Sequence, residues 1–468
     1  MTASGRSVGR PAAALGRRLV AWLLAAQTAS LGVAHAQGRP ERYADWARPV
    51  FPAEELAARR DRLVALLQAR GGGVALFPSA SGATDGRTFR QTNDFLYFTG
   101  LEWPQSVLWV DADAGRSVLF GPSTDPRFEN PGRPNDFPGR PLLMDPEAWA
   151  SSGIDSVAPI VELAAAVERL AGRRTVWIHR DGPRGLERPA LVPSGSWTAE
   201  LELELALAGR HPSLELEDSG PAIARLRMVK SAREIALIRR AVTAAAESML
   251  EAARAVGIGV TERTIQGEFE AACRRRGAQR FGFTPIVKSG PNALWPWRIL
   301  AAHHDRRDRA LAAGEVVILD LGCEVDYYTS DIGRTFPVDG RFGAAHRRAL
   351  ELVTTVSDAI IRAVRPGIRL SELARIAQSV IPTDQRRYMQ TPSFFGHHIG
   401  MDSGDPSLLD APLEPGMVFT VEPWYYDHDH GVAVFIEDDV LVTATGVEVL
   451  SAALPRSAEA LELAVGRR

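Results

Sequence analysis

An aspartate in the middle of an apolar strand is the feature that most constrains this chain. Asp320 lies within the run Val316–Leu321, whose other residues are all aliphatic. Such a run predicts a buried β-strand. Aspartate is depleted in strands, and a buried carboxylate is costly unless it is paired or bound to a cation. The fold must therefore bring a positive charge to this strand.

A second acid follows at a spacing that suits a β-hairpin. A tight turn centred on Val325 and Asp326 would place Asp320 directly opposite Asp331, with Cβ atoms ~5 Å apart. Two like charges on one face repel each other, and a cation between them removes the repulsion. The alternative is that one of the two aspartates only caps a turn.

The same pattern recurs near the carboxyl end of the chain. Glu422 ends one apolar strand and Glu437 lies in the next, with a polar segment, His428–Gly431, at the centre of the predicted turn. A second hairpin would thus carry a second facing pair of carboxylates. Four acids on two hairpins can enclose two cations.

A histidine can complete such a set of ligands. His397 and His398 lie together in an apolar, glycine-flanked segment, where a single histidine would more often be a core residue. Beside four buried acids, one of the two is expected to bind metal. The spacing alone does not decide between them.

The first residues have the pattern of a signal peptide. Arginines precede an apolar run, Leu19–Ala26, and the run is followed by Ala34-His35-Ala36, a small-residue cleavage motif. The run is shorter than the ~20 residues that a membrane span needs. We expect residues 1–36 to be removed and the protein to be exported, to the periplasm or outside the cell.

The remaining chain divides into two parts with different patterning. Residues 37–221 are predicted to form an α/β domain, and residues 222–468 an α+β domain in which helices pack on antiparallel hairpins. In the first part, helices are predicted at Ala53–Arg70 and Ile160–Leu170, and strands at Gly73–Phe77, Phe95–Phe98, Val107–Val110, Ser117–Phe120 and Thr175–His179. In the second part, Ser231 and Glu234 form a capping box that predicts the start of a helix.

Composition excludes some partners and sites. The formal net charge is only −3, so nothing indicates binding to nucleic acid, and no later segment is apolar enough for stable membrane insertion. The two cysteines, Cys273 and Cys323, exclude a zinc–thiolate cluster. A disulfide between them is not favoured, because one lies in a predicted helix and the other just after the predicted strand that carries Asp320.

Several stretches resemble one known peptidase family. They are Leu319–Gly322, Ser330–Phe336, His397–Asp402, Met417–Pro423 and Ile436–Asp439. Together they are similar to the catalytic domain of aminopeptidase P, prolidase and methionine aminopeptidase, which has the pita-bread fold. Phe89–Gly100 resembles the amino-terminal domain of aminopeptidase P, which is related to that of creatinase and prolidase and which the methionine aminopeptidases generally lack.

The resemblance implies a site. The family's five metal ligands fall on Asp320, Asp331, His397, Glu422 and Glu437. The position of the family histidine relative to Gly400 selects His397 over His398. The resemblance also places a substrate-contacting histidine at His303, with a surface residue as the alternative, and a proton-shuttling role on Glu422.

The implied chemistry is hydrolysis beside proline. Four carboxylates and one imidazole favour two divalent ions, Mn(II) first and Co(II) or Zn(II) as alternatives. A water shared by the two ions would attack the carbonyl carbon of the bond that precedes proline. The expected partners are proline-containing peptides, and by resemblance to the family we also expect a homodimer.

Three positions depart from the family pattern. Ser393 and Gly404 stand where the family has histidines, and Phe435 stands where it has an arginine. By the two-residue period of a strand, Phe435 should point into the same pocket as Glu437 and contact substrate. We therefore expect a Xaa-Pro aminopeptidase. The alternatives are a prolidase-like dipeptidase or other amide hydrolase on the same scaffold, and a non-catalytic peptide-binding homologue.

Overall fold

The computed structural model describes residues 48–81, 88–122, 149–170, 174–180, 198–294, 308–389 and 396–466. Within these residues an α/β part with one six-stranded sheet is followed by an α+β part, in which helices pack on small antiparallel sheets. The predicted fold class is confirmed. The predicted signal peptide, residues 1–36, lies outside the described residues.

The sheet of the first part has the strand order β4-β3-β2-β1-β5-β6. Its strands are β1 Val74–Pro78, β2 Val107–Asp111, β3 Arg116–Gly121, β4 Ser156–Pro159, β5 Thr175–Ile178 and β6 Glu215–Asp218. The central strand β1 pairs antiparallel with β2 and parallel with β5. Alternate residues of β1 face two cores: Ala75 and Phe77 pack in one, and Val74 and Leu76 in the other.

Helices cover both faces of this sheet. They are α1 Ala53–Gln68, α2 Asn93–Thr99, α3 Leu163–Glu168 and α4 Ala199–Arg210, with a 3₁₀ turn at Ile160–Glu162. The strand predicted at Phe95–Phe98 is wrong, because these residues lie within α2. A four-residue apolar run fits a buried strand and a buried helix equally well. The stop signal is Gly100, whose left-handed conformation caps the helix.

The second part contains the longest helices. They are α5 Gly220–Met228, α6 Ala232–Ala253, α7 Glu262–Arg275, α8 Ala344–Ala363, α9 Leu370–Val380 and α10 Ala458–Ala464. The predicted capping box is confirmed: the Ser231 hydroxyl accepts from the backbone N–H of Glu234, and the Glu234 carboxylate accepts from the N–H of Ser231.

Four small sheets lie against these helices. Their orders are β11-β10-β7, β12-β9-β8, β13-β16-β17 and β14-β15. The strands are β7 Arg280–Phe281, β8 Ile286–Ser289, β9 Val316–Leu321, β10 Cys323–Val325, β11 Tyr328–Thr329, β12 Ile332–Pro337, β13 Val418–Val421, β14 Trp424–Asp427, β15 Val432–Phe435, β16 Asp438–Val442 and β17 Val447–Val449. Short 3₁₀ turns lie at Gly290–Leu294 and Arg386–Tyr388.

The two parts share a hydrophobic core. One buried cluster contains Leu56 and Phe98 from the first part together with Ile238, Tyr328 and Val418 from the second. The division predicted at residue 221 falls inside α5, whose apolar face belongs to this shared core, and it stays a prediction. None of the helices among the described residues is long and apolar enough to cross a bilayer.

Cys273 and Cys323 form a disulfide, with Cα atoms 6.1 Å apart. The sequence did not favour this bond. Helix α7 packs against the sheet that contains β10, and both cysteines are fully buried at this contact. The bond therefore links α7 to the segment that follows Asp320.

Candidate metal centre

The first hairpin places Asp320 and Asp331 on the same face but not directly opposite each other. Asp320 pairs with Gly333, and Leu321 pairs with Ile332. The predicted turn is one residue too early: the central residues are Asp326 and Tyr327, both with positive φ, as a two-residue type I′ turn requires. This moves the pairing by two positions, which changes the partner of Asp320 and keeps the face.

The second hairpin has the predicted register. Val421 pairs with Asp438 and Trp424 pairs with Phe435, so Glu422 and Glu437 face each other. The two hairpins are joined where Glu437 and Gly333 exchange backbone hydrogen bonds of 3.2 and 2.9 Å. Since Gly333 is also the partner of Asp320, this bridge brings both pairs of acids to one place.

His397 reaches the same place from a loop. Its backbone N–H donates to the Thr420 hydroxyl at 3.1 Å, and its carbonyl accepts from the Thr420 N–H at 2.8 Å. Gly396 permits this approach, because its φ is +153° and a Cβ there would lie 1.9 Å from the Thr420 carbonyl oxygen. His398 points into the core instead, where burial and the nearby Lys230 lower its pKa to about 4.

Five predicted ligands therefore converge. Ligand atoms of Asp331, His397 and Glu437 all lie within 4.8 Å of one another. Nε2 of His397 is 3.5 Å from Oδ2 of Asp331 and 3.5 Å from Oε1 of Glu422. The charge of Asp320 acts to raise the pKa values of Asp331, Glu437 and His397, so Asp320 lies near all three.

Burial and mutual repulsion shift the pKa values of this cluster. Burial raises the pKa of Asp331 well above its ordinary value, and the neighbouring carboxylates raise it further, Asp320 most of all. Burial, followed by the charges of Asp331 and Glu422, raises the pKa of Glu437 in the same way. Burial raises the pKa of Glu422 to about 7, and partial burial lowers that of His397, which favours the neutral imidazole that binds metals.

These residues fit divalent metal ions. Oε2 of Glu437 is buried and has no hydrogen-bond partner among the described residues. Buried carboxylates of this kind need protons or a cation. Carboxylate oxygens and one imidazole nitrogen are the donors that Mn(II), Co(II) and Zn(II) accept.

Two supporting residues were missed from the sequence. The Thr420 hydroxyl, which accepts from His397, also donates to Oε1 of Glu422 at 3.2 Å and so connects two ligands. Oδ2 of Asp439 accepts from the backbone N–H of Asp331 at 3.0 Å, and Asp439 is fully buried. The signal for Asp439 was present: like Asp320, it is an aspartate inside an apolar strand.

Arg334 stabilises the backbone that carries two of the predicted ligands. Its guanidinium donates to the carbonyl oxygens of Gly333 and Glu437 at 2.7 and 2.6 Å, and to the Asp438 carboxylate at 2.6 Å. The side chain is fully buried. Arg334 therefore fixes the bridge between the hairpins, and its donors are not directed towards a substrate.

Phe435 lies beside the acids in an aromatic and aliphatic cluster. The ring occupies the space where Gly333 would carry a Cβ, at 2.0 Å, and it packs with Ile318 and the partly buried Trp424 and Tyr426. Burial, followed by the charges of Asp320 and Glu422, raises the pKa of Tyr426, which places this phenol close to the predicted ligands. Phe435 itself is fully buried, and its contact with substrate stays a prediction.

Other predicted positions are less informative. His303 and Ser393 lie outside the described residues. Gly404 is exposed, and a Cβ there would meet nothing within 4 Å. The backbone at this position therefore leaves room for a side chain.

Comparisons with known proteins identify both parts of the chain. The model of metallopeptidase family M24 matches residues 236–444, and the model of the aminopeptidase P N-terminal domain matches residues 56–178. The first range contains all five predicted ligands.

Individual relatives cover most of the chain. Xaa-Pro aminopeptidase 3 of Mus musculus is 30% identical over 415 residues, which are 80% of this chain and 76% of the relative. The mitochondrial intermediate cleaving peptidase 55 of Arabidopsis thaliana is 28% identical over 437 residues, which are 88% and 83% of the two chains. A solved structure of Escherichia coli aminopeptidase P in complex with substrate superposes with a TM-score of 0.71, at 27% identity, and covers 88% of this chain and 98% of its own.

Proposed function

Because the chain belongs to metallopeptidase family M24, whose catalytic domain has the pita-bread fold, we propose that it is a Xaa-Pro aminopeptidase. It would remove the first residue from peptides that have proline second. The observation that carries the proposal is the convergence of Asp331, His397, Glu422 and Glu437, with the charge of Asp320 acting on the same cluster. To these five side chains we assign two divalent ions. Relatives named Xaa-Pro aminopeptidase support the substrate class.

Bound divalent ions, Mn(II) in our assignment, supply a hydrolytic nucleophile at neutral pH and polarise the carbonyl under attack. The chain's own residues then handle the proton. Oε1 of Glu422 accepts from Thr420 and lies 3.5 Å from His397. These contacts hold the carboxylate beside the other predicted ligands, and we assign to it the uptake and release of the proton.

The environment of Phe435 supports a preference for longer peptides. A dipeptidase must bind the free carboxylate just beyond the scissile bond, usually with an arginine fork. Phe435 provides no donor at its position, and Arg334 donates to backbone and to Asp438. Arg298, another candidate, lies outside the described residues. We propose that Xaa-Pro-Yaa peptides are cleaved with higher kcat/KM than Xaa-Pro dipeptides.

Kinetics on one manganese-loaded sample test this proposal. Xaa-Pro-Yaa, Xaa-Pro and Xaa-Ala-Yaa peptides are compared, with an N-acetylated Xaa-Pro-Yaa peptide as the control for a free amino terminus. We expect only the first class to be cleaved well. Dipeptides cleaved as well as tripeptides would support the prolidase-like alternative, and no hydrolysis with metal bound would support a peptide-binding homologue.

His303 carries a separate part of the proposal, by resemblance to the family. If it contacts substrate, His303→Ala should lower kcat by roughly 10²-fold and leave the metal content unchanged. His304→Ala is the matched control. An equal loss in His304→Ala with a normal His303→Ala would transfer the role to the neighbour.

Export and self-association also belong to the proposal. The pattern of residues 1–36 supports export to the periplasm or the exterior, and the family resemblance supports a homodimer. The amino-terminal sequence of protein recovered from its native compartment, and the mass in solution, test the two statements.

A further inference from the structure

A series of buried ion pairs runs from the first part of the molecule to the loop that follows His397. Nη1 of Arg227, on α5, donates to Oδ1 of Asp94, on α2, at 2.9 Å. Nη2 of the same guanidinium donates to Oδ1 of Asp405 at 2.5 Å. All three residues are at least 94% buried. One arginine therefore couples an acid of each part.

The far end of this series is fixed by His179, which follows β5. Its Nδ1 lies 2.5 Å from Oδ2 of Asp94, so both carboxylate oxygens of Asp94 are engaged. Burial opposes ionisation of Asp94, but His179 and Arg227 outweigh it and lower its pKa. Asp94 is thus ionised, and its side chain is fixed within the first part of the molecule by partners on both oxygens.

The near end holds the segment that we call the 398–405 loop. Oδ1 of Asp405 accepts from the backbone N–H of Met401 at 3.2 Å, and the N–H of Asp405 donates to the His398 carbonyl at 2.9 Å. Lys230 contacts Oδ2 of Asp405 at 3.2 Å. A Cβ on Gly400 would lie 2.5 Å from the same oxygen. The loop therefore closes tightly around Asp405, directly after His397.

We propose that Asp94 is a positioning residue for the metal centre: through Arg227 and Asp405 it fixes the 398–405 loop and so the backbone of His397. The amino-terminal domain would then contribute to metal binding through this series of ion pairs. The inference rests on the proposed metal-binding role of His397. Residues that orient a metal ligand typically change metal affinity 10–100-fold when they are removed.

Asp94→Asn tests this role in two ways. In the metal-free protein, backbone amides of the 398–405 loop, Met401 and Asp405 above all, should exchange with deuterium about tenfold faster, because the loop loses its charged support. In a calorimetric titration with manganese, the affinity should fall about 10–100-fold. The first measurement requires neither metal nor activity.

Glu55→Gln is the matched control. Glu55 lies in the same interface between the two parts, where it accepts from Nη2 of Arg59 at 3.1 Å and from the Ser231 hydroxyl at 2.7 Å. These contacts lead to α6 and not to the 398–405 loop. We expect a comparable shift in melting temperature, with unchanged exchange in the loop.

A double-mutant cycle tests the coupling itself. If Arg227 transmits the effect, Asp94→Asn and Asp405→Asn should be strongly non-additive in manganese affinity and loop exchange, because either change interrupts the same series. Additive effects would overturn the proposal, and so would an Asp94→Asn protein with unchanged loop exchange. If Asp94→Asn does not fold, His179→Leu should give the same change with smaller amplitude.

The two proposals can fail separately. If the protein binds no manganese but Asp94→Asn still speeds exchange in the loop, the role of Asp94 in fixing the loop stands and the proposed metal centre is rejected. Normal manganese binding with an unresponsive loop would do the reverse.

Discussion

Two clusters of buried carboxylates among the described residues show pKa shifts in opposite directions. The acid centre consists of Asp320, Asp331, Glu422, Glu437 and Asp439. Burial and mutual repulsion raise the pKa of Asp331, and burial raises that of Asp439. The interdomain network consists of Asp94, His179, Arg227, Lys230 and Asp405. Here burial also favours the neutral acids, but the cations outweigh it and lower the pKa of both aspartates.

The difference is the origin of the counter-charge. In the interdomain network the cations are side chains, so the cluster is complete once the chain has folded. In the acid centre the predicted ligands converge without a cationic side chain among the described residues that offsets their charge, and we propose that metal ions from solution supply it. Buried aspartates are therefore a crosslink in one case and a binding site in the other, and the surrounding charges decide which.

The largest expected effect comes from breaking the acid centre. Asp331→Ala should abolish manganese binding. It should also lower kcat/KM roughly 10³-fold or more, which is a loss of several kcal/mol of transition-state stabilisation. Elemental analysis and peptide hydrolysis are the measurements. Full activity in this variant would show that the ligand assignment is wrong.

Breaking the interdomain network should act on stability first. Arg227→Met leaves two buried aspartates short of a partner, and the free energy of unfolding should fall by about 3–5 kcal/mol. Asp331→Asn in the metal-free protein should leave it unchanged or raise it, because one repelling charge is removed. Urea unfolding of both variants without metal checks the contrast, and equal losses would remove the distinction between the clusters.

The pH dependence should differ in sign between the clusters. The pKa of Glu422 is raised to about 7, and those of Asp331 and Glu437 are raised too. Their contribution to stability is therefore full below their unfolded pKa values, near 4, and is lost as pH rises through the folded values. Asp94 and Asp405, with lowered pKa values, contribute above their unfolded values and lose this contribution as pH falls.

Thermal unfolding near pH 3, pH 5 and pH 8, with and without manganese, measures this difference, because Asp94 and Asp405 lose their contribution only below about pH 4. Metal-free protein should lose stability towards pH 8. Manganese at 100 times its dissociation constant at pH 8 should raise the free energy of unfolding by about 2.7 kcal/mol at that pH. The same concentration should raise it less near pH 5, because protons compete for the same oxygens. A manganese effect independent of pH would contradict the charge state assigned to the acid centre.

The smallest effect is expected in the loop that joins the two clusters. Gly404→Ala adds a methyl group into open space and should change the free energy of unfolding by at most about 0.5 kcal/mol. Gly400→Ala, four residues earlier, would press a methyl group against Asp405 and should cost clearly more. Equal values would show that Asp405 is not held as tightly as its contacts indicate.

The acid centre could be predicted because its signals are local. An aspartate in an aliphatic strand is out of place wherever it occurs, and the polar turn at His428–Gly431 fixed the register of the second hairpin. The first register was wrong by two positions, because the left-handed turn residues Asp326 and Tyr327 are neither glycine nor asparagine. The ligand face was still right, since an even shift keeps the face.

The interdomain network could not be predicted, because its partners are remote in the sequence. Asp94 and Arg227 are separated by 133 residues, and Arg227 and Asp405 by 178. Each has the charge of an ordinary surface residue, and no periodicity distinguishes it. Only the shared core, to which α2 and α5 both contribute, buries these residues and so makes their pairing necessary.

The turn at the tip of the first hairpin has a consequence for engineering. The Tyr327 hydroxyl accepts from the backbone N–H of Gln91 at 3.0 Å and donates to Glu102, and Arg90 lies over its ring. A bulky residue with positive φ is tolerated here because residues of the first part of the chain hydrogen-bond to its side chain and pack on it. The catalytic part is therefore not expected to fold well without the first part. Anyone who wished to shorten this chain would first have to replace Asp326 and Tyr327 with a self-sufficient turn, such as Asn-Gly.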